Sequence, residues 1–167
     1  TTDKQAIVYT VEEDQVSGYN TAIIGDAKGG FTITNTRKSY AIGDYTWIDA
    51  NNNGLQDQGE EVLAGVKVEI FDQAGQRVAT TTTNNQGFYL FDELEAGDYK
   101  VKFTLTKEQA QKYEFTKQNA GENTNLDSDA DVNGWTVAIH LNEKNSSLTK
   151  DYAEQAVKAT EGIDPTW

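Results

Sequence analysis

The feature that most constrains this chain is alternation. Segments 6–13, 30–36, 41–48, 65–71, 77–83, 87–91, 97–105 and 134–141 place β-branched or aromatic residues at alternate positions, and Gly, Asn and Asp separate them. A period of two lets one face of a strand be buried while the other meets water, so short strands with this punctuation predict an all-β chain, a β-sandwich. In "GVKVEIF" the residues Val66, Val68 and Ile70 share one face and Lys67 and Glu69 the other; Val101, Phe103 and Leu105 repeat the pattern against Lys100, Lys102 and Thr104. "DQAGQR" at 72–77 and "TNNQGF" at 83–88 supply the residues that tight hairpins require.

Helical periodicity is weak. "TKEQAQKY" at 106–113 predicts one turn, and "TKDYAEQAVKAT" at 149–160 a short helix or an extended linker. A boundary falls near "TRKSYAIGDY" at 36–45, because the two strands expected before it are too few for a stable sheet. The expected organisation is therefore residues 1–38 as the last strands of a preceding domain, incomplete or completed by another chain. Residues 39–152 form a sandwich with its own core, and 153–167 are a linker or the start of a following segment.

Charge narrows the function. Twenty-seven acidic against 14 basic residues give a net charge of -13, which repels nucleic acid and anionic membrane surfaces. No apolar run is long enough to insert in a membrane. With no Cys and one His, the chain has neither a thiolate nor a Ser-His-Asp set, and its clustered carboxylates are a poor arrangement for splitting two pKa values; enzymatic turnover is not expected. Cations are the natural counterweight.

A site for one is legible in "DANNNGLQDQGE". Numbered from Asp49, oxygen-bearing residues fall at positions 1, 3, 5, 9 and 12, namely Asp49, Asn51, Asn53, Asp57 and Glu60, with Gly54 at the sharp turn and the Leu55 carbonyl at position 7. That is the spacing by which a twelve-residue loop wraps Ca2+. Strand patterns flank it, so the ion is expected to be structural rather than to open a helix pair. A second acidic run, "NLDSDADVNG", alternates Asp127, Asp129 and Asp131 ahead of Asn133. Carboxylates about 5 Å apart at an effective dielectric near 20 repel by about 3 kcal/mol per pair, a cost that a divalent ion removes. Many flexible oxygens suit Ca2+ better than Mg2+, and Zn2+ prefers nitrogen or sulfur; His140, between Ile139 and Leu141, is expected to face solvent.

Taken together, "IGDYTWIDANNNGLQDQGEEVLAGVKVEIFDQAGQRVATTTTNNQGFYLFDELEAGDYKVKF" and "NLDSDADVNG" resemble the calcium-binding B repeats of the serine-aspartate repeat surface adhesins of Gram-positive bacteria, over residues about 41 to 152. The resemblance implies a transthyretin-like or reverse-immunoglobulin β-sandwich with Greek-key connections. It also implies one Ca2+ site from Asp49, Asn51, Asn53, Asp57 and Glu60, contributions from Asp127, Asp129 and Asp131 to others, and Asp44 or Glu61 as additional ligands. The implied role is a rigid stalk module on the cell-wall-anchored, extracellular surface, with neighbouring domains of the same protein as partners. The alternative is a module that binds a host protein or glycan through exposed aromatic residues such as Trp47 and Trp135.

"YTVEEDQVSGY" and "GFTITNT" resemble the closing strands of a collagen-adhesin B-type domain, in which a first-strand Lys forms an isopeptide bond to an Asn with an acid assisting. The matching positions are Glu12 as the acid and Asn35 as the acceptor. Lys4, Lys28 and Lys38 do not occupy the first-strand place, so the Lys is left to a second chain completing residues 1–38, or else Glu12 and Asn35 are ordinary strand residues. Any such bond forms once and is not turnover.

Overall fold

In a computed structural model of the chain, residues 8–122 and 126–142 are described. They divide into two compact units, Thr1–Lys38 and Ser39–Trp167.

The first unit is a hairpin. Strands β1 (Tyr19–Asp26) and β2 (Gly30–Arg37) pair antiparallel without interruption from Tyr19↔Arg37 to Asp26↔Gly30. Asp26 Oδ1 closes the turn by accepting the Lys28 and Gly29 N–H groups at 2.8 and 2.6 Å. Sequence reading placed a strand at 6–13 and none at 19–26; the described residues 8–17 carry no regular strand, and "YNTAIIGD" pairs instead. A strand needs a partner as well as a pattern, and the turn at 26–30 delivers β1 to β2. Ile23, Ile24 and Ile33 remain exposed on this hairpin.

The second unit is all-β, with two antiparallel sheets and no closed barrel among the described residues. Strand β3 (Tyr40–Tyr45) pairs with β6 (Phe88–Leu94), and β4 (Lys67–Asp72), β5 (Arg77–Thr82), β7 (Gly97–Thr104) and β8 (Ile139–Leu141) form a sheet in the order β5-β4-β7-β8. Alternation explains the core: Val66, Val68, Ile70 and Val101 are at most 1% exposed and pack with Tyr40, Ile42, Tyr89, Phe91 and Leu94 of the smaller sheet. The Tyr89 and Phe103 rings meet edge to face at 5.4 Å across the core. Glu69, expected outside, is buried on the outer face beneath Lys67 and Arg77, whose nitrogens stand 2.9 and 2.8 Å from its Oε1.

The turns are built as their residues dictate. Asp72 Oδ1 accepts the Ala74 and Gln76 N–H groups, and Asn84 Oδ1 those of Gln86 and Phe88. Segment 106–113 makes a single 3-10 turn at Gln109–Gln111. Segment 134–141 is a strand only from Ile139, with isolated bridges at Trp135 and Thr136, because the turn before it takes up the N-terminal half. The expected helix or linker at 149–160 lies outside the described residues.

Candidate metal centre

The loop 49–60 leaves the end of β3 and is closed at its base by the bridge Trp47↔Val62 and by the Ile48 N–H, which donates to the Glu61 carbonyl at 2.7 Å. Its interior is a succession of side-chain turns. Asn51 Oδ1 accepts the Asn53 N–H at 3.0 Å, and Asn53 Oδ1 the Leu55 N–H at 2.7 Å. Gly54 takes a φ of 82°, and a Cβ there would lie 2.6 Å from the Ala120 Cβ and 2.9 Å from the Lys117 carbonyl oxygen. Only glycine meets both demands.

The polar residues of the spacing motif converge. Both amides reach Asp57 Oδ2, the Asn51 Nδ2 at 2.7 Å and the Asn53 Nδ2 at 2.8 Å. Glu60 reaches back to accept the Ala50 N–H on Oε1 at 2.8 Å and the Asp57 N–H on Oε2 at 3.0 Å. Asp49 accepts the Asn53 and Gly54 N–H groups and, on Oδ2, the Thr116 hydroxyl at 2.6 Å. Burial pushes the Asp49 carboxyl up, but the Thr116 hydroxyl and the backbone N–H groups outweigh it and hold the carboxyl below its usual range. N–H donors thus occupy the oxygens that a cation would take, and turning the Asn51 and Asn53 amides over presents oxygen in place of nitrogen beside Asp57.

The second acidic run joins this loop. Leu55 bridges antiparallel to Asp127, the Gln56 N–H donates to the Leu126 carbonyl at 2.6 Å, and the Ser128 N–H to the Gly54 carbonyl at 3.2 Å. The neighbouring cavity of about 360 Å3 is lined by Asp44, Asp49, Asp127 and Asp129, with Trp47, Tyr89 and Phe115 among its apolar walls. Asp127 is 6% exposed and its Oδ1 has no hydrogen-bond partner.

Asp44 keeps accessible surface because it lines this open cavity, yet the protein around it weakens its solvation. Desolvation pushes its carboxyl up to about 6, the Tyr45 N–H opposes the shift, and Asp129 and Asp127 add to it. Asp129 is raised by desolvation and by Asp127, and the buried Tyr89 hydroxyl by desolvation and by Asp44 and Asp129. Asp127 and Asp129 therefore act on Asp44, and Asp127 on Asp129.

Asp131 and Asn133 have another occupation. Asp131 Oδ1 accepts the Trp135 and Asn133 N–H groups at 2.8 and 2.9 Å, which lower its pKa, and the Asn133 carbonyl accepts the Lys102 ammonium. Glu61 is exposed and serves the loop base through its carbonyl. His140 is exposed, with Nδ1 2.7 Å from Asp98 Oδ1.

In the hairpin unit, the Asn35 amide donates to Glu13 Oε1 at 3.0 Å, not to Glu12, and Asn35 Oδ1 accepts the Thr21 hydroxyl at 2.6 Å. Glu12 is exposed, whereas Glu13 Oε2 is buried without a partner. Strand-like alternation from the half-buried Val11 would have selected Glu13.

Among the described residues no group of three or more His, Cys, Asp or Glu side chains is gathered tightly enough to grip an ion as it lies. The donors nonetheless fit a hard divalent cation. They are all oxygens, and a buried, partnerless carboxylate oxygen among two further carboxylates is short of positive charge. Asp44 was given by the resemblance and not by spacing; Thr116 gave no signal.

Two family models match the chain, the SdrD B-like domain over residues 40–153 and the Cna protein B-type domain over residues 1–36. The chain is 40% identical over 108 residues to serine-aspartate repeat-containing protein F of Staphylococcus epidermidis, which covers 65% of this chain and 6% of that protein. It is 34% identical over 128 residues to serine-aspartate repeat-containing protein C of Staphylococcus aureus strain MW2, covering 77% and 13%. The chain thus spans a small part of the length of these relatives. Among solved structures it is similar to BcpA, the major pilin subunit of Bacillus cereus, at 18% identity and a TM-score of 0.42, over 81% of this chain and 38% of that one.

Proposed function

This chain belongs to the SdrD B-like domain family, its B-like domain preceded by Cna B-type sequence, and we propose that it acts as a calcium-stabilised, rigid spacer in a surface adhesin. Its place is the cell-wall-anchored exterior of a Gram-positive bacterium, where neighbouring domains of the same protein are its immediate partners. Such a module performs no turnover. Its described sheets are read as a transthyretin-like or reverse-immunoglobulin sandwich with Greek-key connections, extending over residues 39–152.

One observation carries the calcium reading. The Leu55↔Asp127 bridge brings a loop with calcium-binding spacing against a buried carboxylate whose Oδ1 lacks a partner. Asp49, Asn51, Asn53, Asp57, Glu60 and the Leu55 carbonyl would hold one ion, and Asp44, Asp127 and Asp129 would contribute to a second; Asp131 and Asn133 shape the adjoining turn. When bound, Ca2+ supplies the positive charge that these oxygens lack. It ties β3 and the adjoining loop to segment 126–129, which is far from both in sequence. At free calcium 100 times the dissociation constant, each site adds about 2.7 kcal/mol.

The aromatic alternative has less support. Trp135 meets Phe71 at a tilt with ring centroids 5.2 Å apart, under the Lys102 ammonium, and Trp47 is half-buried, so neither offers a free strip for a host protein or glycan. In the hairpin unit, Asn35 would accept the bond from a Lys of a second chain that completes residues 1–38, with Glu12 as the assisting acid or, in its place, Glu13, whose Oε1 accepts the Asn35 amide. The test is limited proteolysis with and without chelator. Excess chelator is expected to speed cutting within 49–60, and cutting at equal rates in calcium and in chelator overturns the reading.

A further inference from the structure

Asn is followed directly by Gly twice in this chain, at Asn53–Gly54 and at Asn133–Gly134. Such a pair carries a reaction of its own. The Gly nitrogen attacks the Asn amide carbon, a C–N bond closes a five-membered imide, and the side-chain nitrogen leaves as ammonia with the proton that the Gly nitrogen gives up. Water then opens the imide at either carbonyl, and an acid stands where the amide was, linked through its α or its β carboxyl. Only water is consumed. Gly favours the step because no Cβ hinders the approach of its nitrogen.

Both Asn residues are exposed, but the two pairs are held differently. The Gly134 N–H donates to the Asp131 carbonyl at 2.7 Å and its carbonyl accepts the Phe103 N–H at 2.8 Å, so main-chain bonds fasten it on both sides, one of them to β7. The Gly54 N–H is held by a side chain, Asp49 Oδ2 at 2.7 Å, and its carbonyl accepts the Ser128 N–H at a longer 3.2 Å. While the loop is closed, this bond engages the attacking nitrogen, and the Leu55 N–H and Asp57 Oδ2 hold the two ends of the Asn53 amide at 2.7 and 2.8 Å. Exposed loops open at lower free energy than sheet, so opening frees Asn53–Gly54 before Asn133–Gly134.

The product changes what the loop needs. Asn53 Nδ2 is one of two amide donors to Asp57 Oδ2, Asn51 Nδ2 being the other. Deamidation replaces that donor by a carboxylate oxygen, beside Asp57 and in a loop that already holds Asp49 and Glu60. A donor is lost and a charge gained in one step. We propose that Asn53 is a site of spontaneous deamidation, and that the modified loop, no longer serving its own acids, requires a cation. The reaction is independent of the calcium reading above; its consequence rests on that reading.

The test holds the full 167-residue chain at mildly alkaline pH in chelator and maps its peptides by mass spectrometry over time. In the folded chain, conversion at Asn53 is expected to lead conversion at Asn133; in urea the two should run at similar rates. Asp49→Ala, which releases the Gly54 N–H, is expected to speed Asn53 about tenfold and to leave Asn133 unchanged, as loss of a hydrogen bond to a charged group implies. If that variant does not fold, the folded and urea rates of the parent decide alone. Asn133 converting as fast as Asn53 in the folded parent overturns the site. Asn53→Asp stands in for the product: it should melt below the parent in chelator and gain more from calcium than the parent does. Melting with the parent in chelator overturns the loss of the donor, and a calcium gain no larger than the parent's overturns the cation requirement. Absence of any calcium response in both chains overturns the calcium reading instead, and the peptide map still decides the modification.

Discussion

The loop 49–60 and the acids around the neighbouring cavity carry the same kind of charge and touch through the Leu55↔Asp127 bridge, yet their carboxylates are in opposite conditions. Asp49, Asp57 and Glu60 accept hydrogen bonds from backbone and amide N–H groups and from Thr116. Asp127 has a bare buried oxygen, and the Asp44 and Asp129 carboxyls are raised by desolvation and by Asp127 although both residues keep accessible surface. The difference lies in the backbone. The loop curls through Asn52 and Gly54 at positive φ and turns several N–H groups onto its own acids, whereas β3 offers Asp44 the Tyr45 N–H and the Ser128 N–H is given to the Gly54 carbonyl. Acidity alone does not make a region dependent on a cation; a shortage of nearby donors does.

This contrast can be broken in several ways. The largest effect is expected from calcium itself. Replacing excess calcium by chelator should lower the melting temperature by on the order of 10 °C, from about 2.7 kcal/mol per site. Gly54→Ala comes next, at about 2–4 kcal/mol in either condition by chemical denaturation, because its Cβ meets Ala120 and the Lys117 carbonyl at a positive φ.

Asp127→Asn and Asp49→Asn sharpen the comparison by sign. In chelator, removing a carboxylate whose buried Oδ1 has no partner should not destabilise the fold, whereas removing the acceptor of the Thr116, Asn53 and Gly54 bonds should destabilise it by about 1 kcal/mol. Both variants should lose part of the calcium-dependent gain in the same melts.

Acidification separates the regions again. The Asp44 carboxyl is raised in the fold to about 6, so the folded chain binds the extra proton first, and calcium-free stability should rise as pH falls from about 7 toward 4. Asp49 is lowered, so its contribution is present above the ordinary carboxylate range and lost only as pH falls through its own depressed value. Melting curves across this range should show the calcium-dependent gain shrinking below about pH 6, as protons compete for the cavity acids. The smallest effect is the control: His140→Gln, which removes an exposed hydrogen-bond contact with Asp98, should change stability by less than about 0.5 kcal/mol.

Much of this was legible in the residues. Alternation located β2 to β7 and the buried face of Val66, Val68, Ile70 and Val101, because period two is what a sheet with one dry face imposes. The spacing of the loop was readable because its turns are local. What escaped depends on contacts distant in sequence: the pairing of Leu55 with Asp127, the Thr116 hydroxyl on Asp49, and the burial of Glu69 under Arg77. Two expectations met a different placement. The Asn35 amide reaches Glu13, next to the acid expected at Glu12, and the described residues 8–13 of the expected strand carry none, while Tyr19–Asp26 pairs in a register fixed by the Asp26 turn.

The most direct test counts ions. Equilibrium dialysis of the 167-residue chain against calcium, followed by elemental mass spectrometry, should find at least two calcium ions per chain, and one fewer in Asp127→Asn. A chain that emerges without calcium, or an Asp127→Asn variant that retains as much as the parent, would contradict the account.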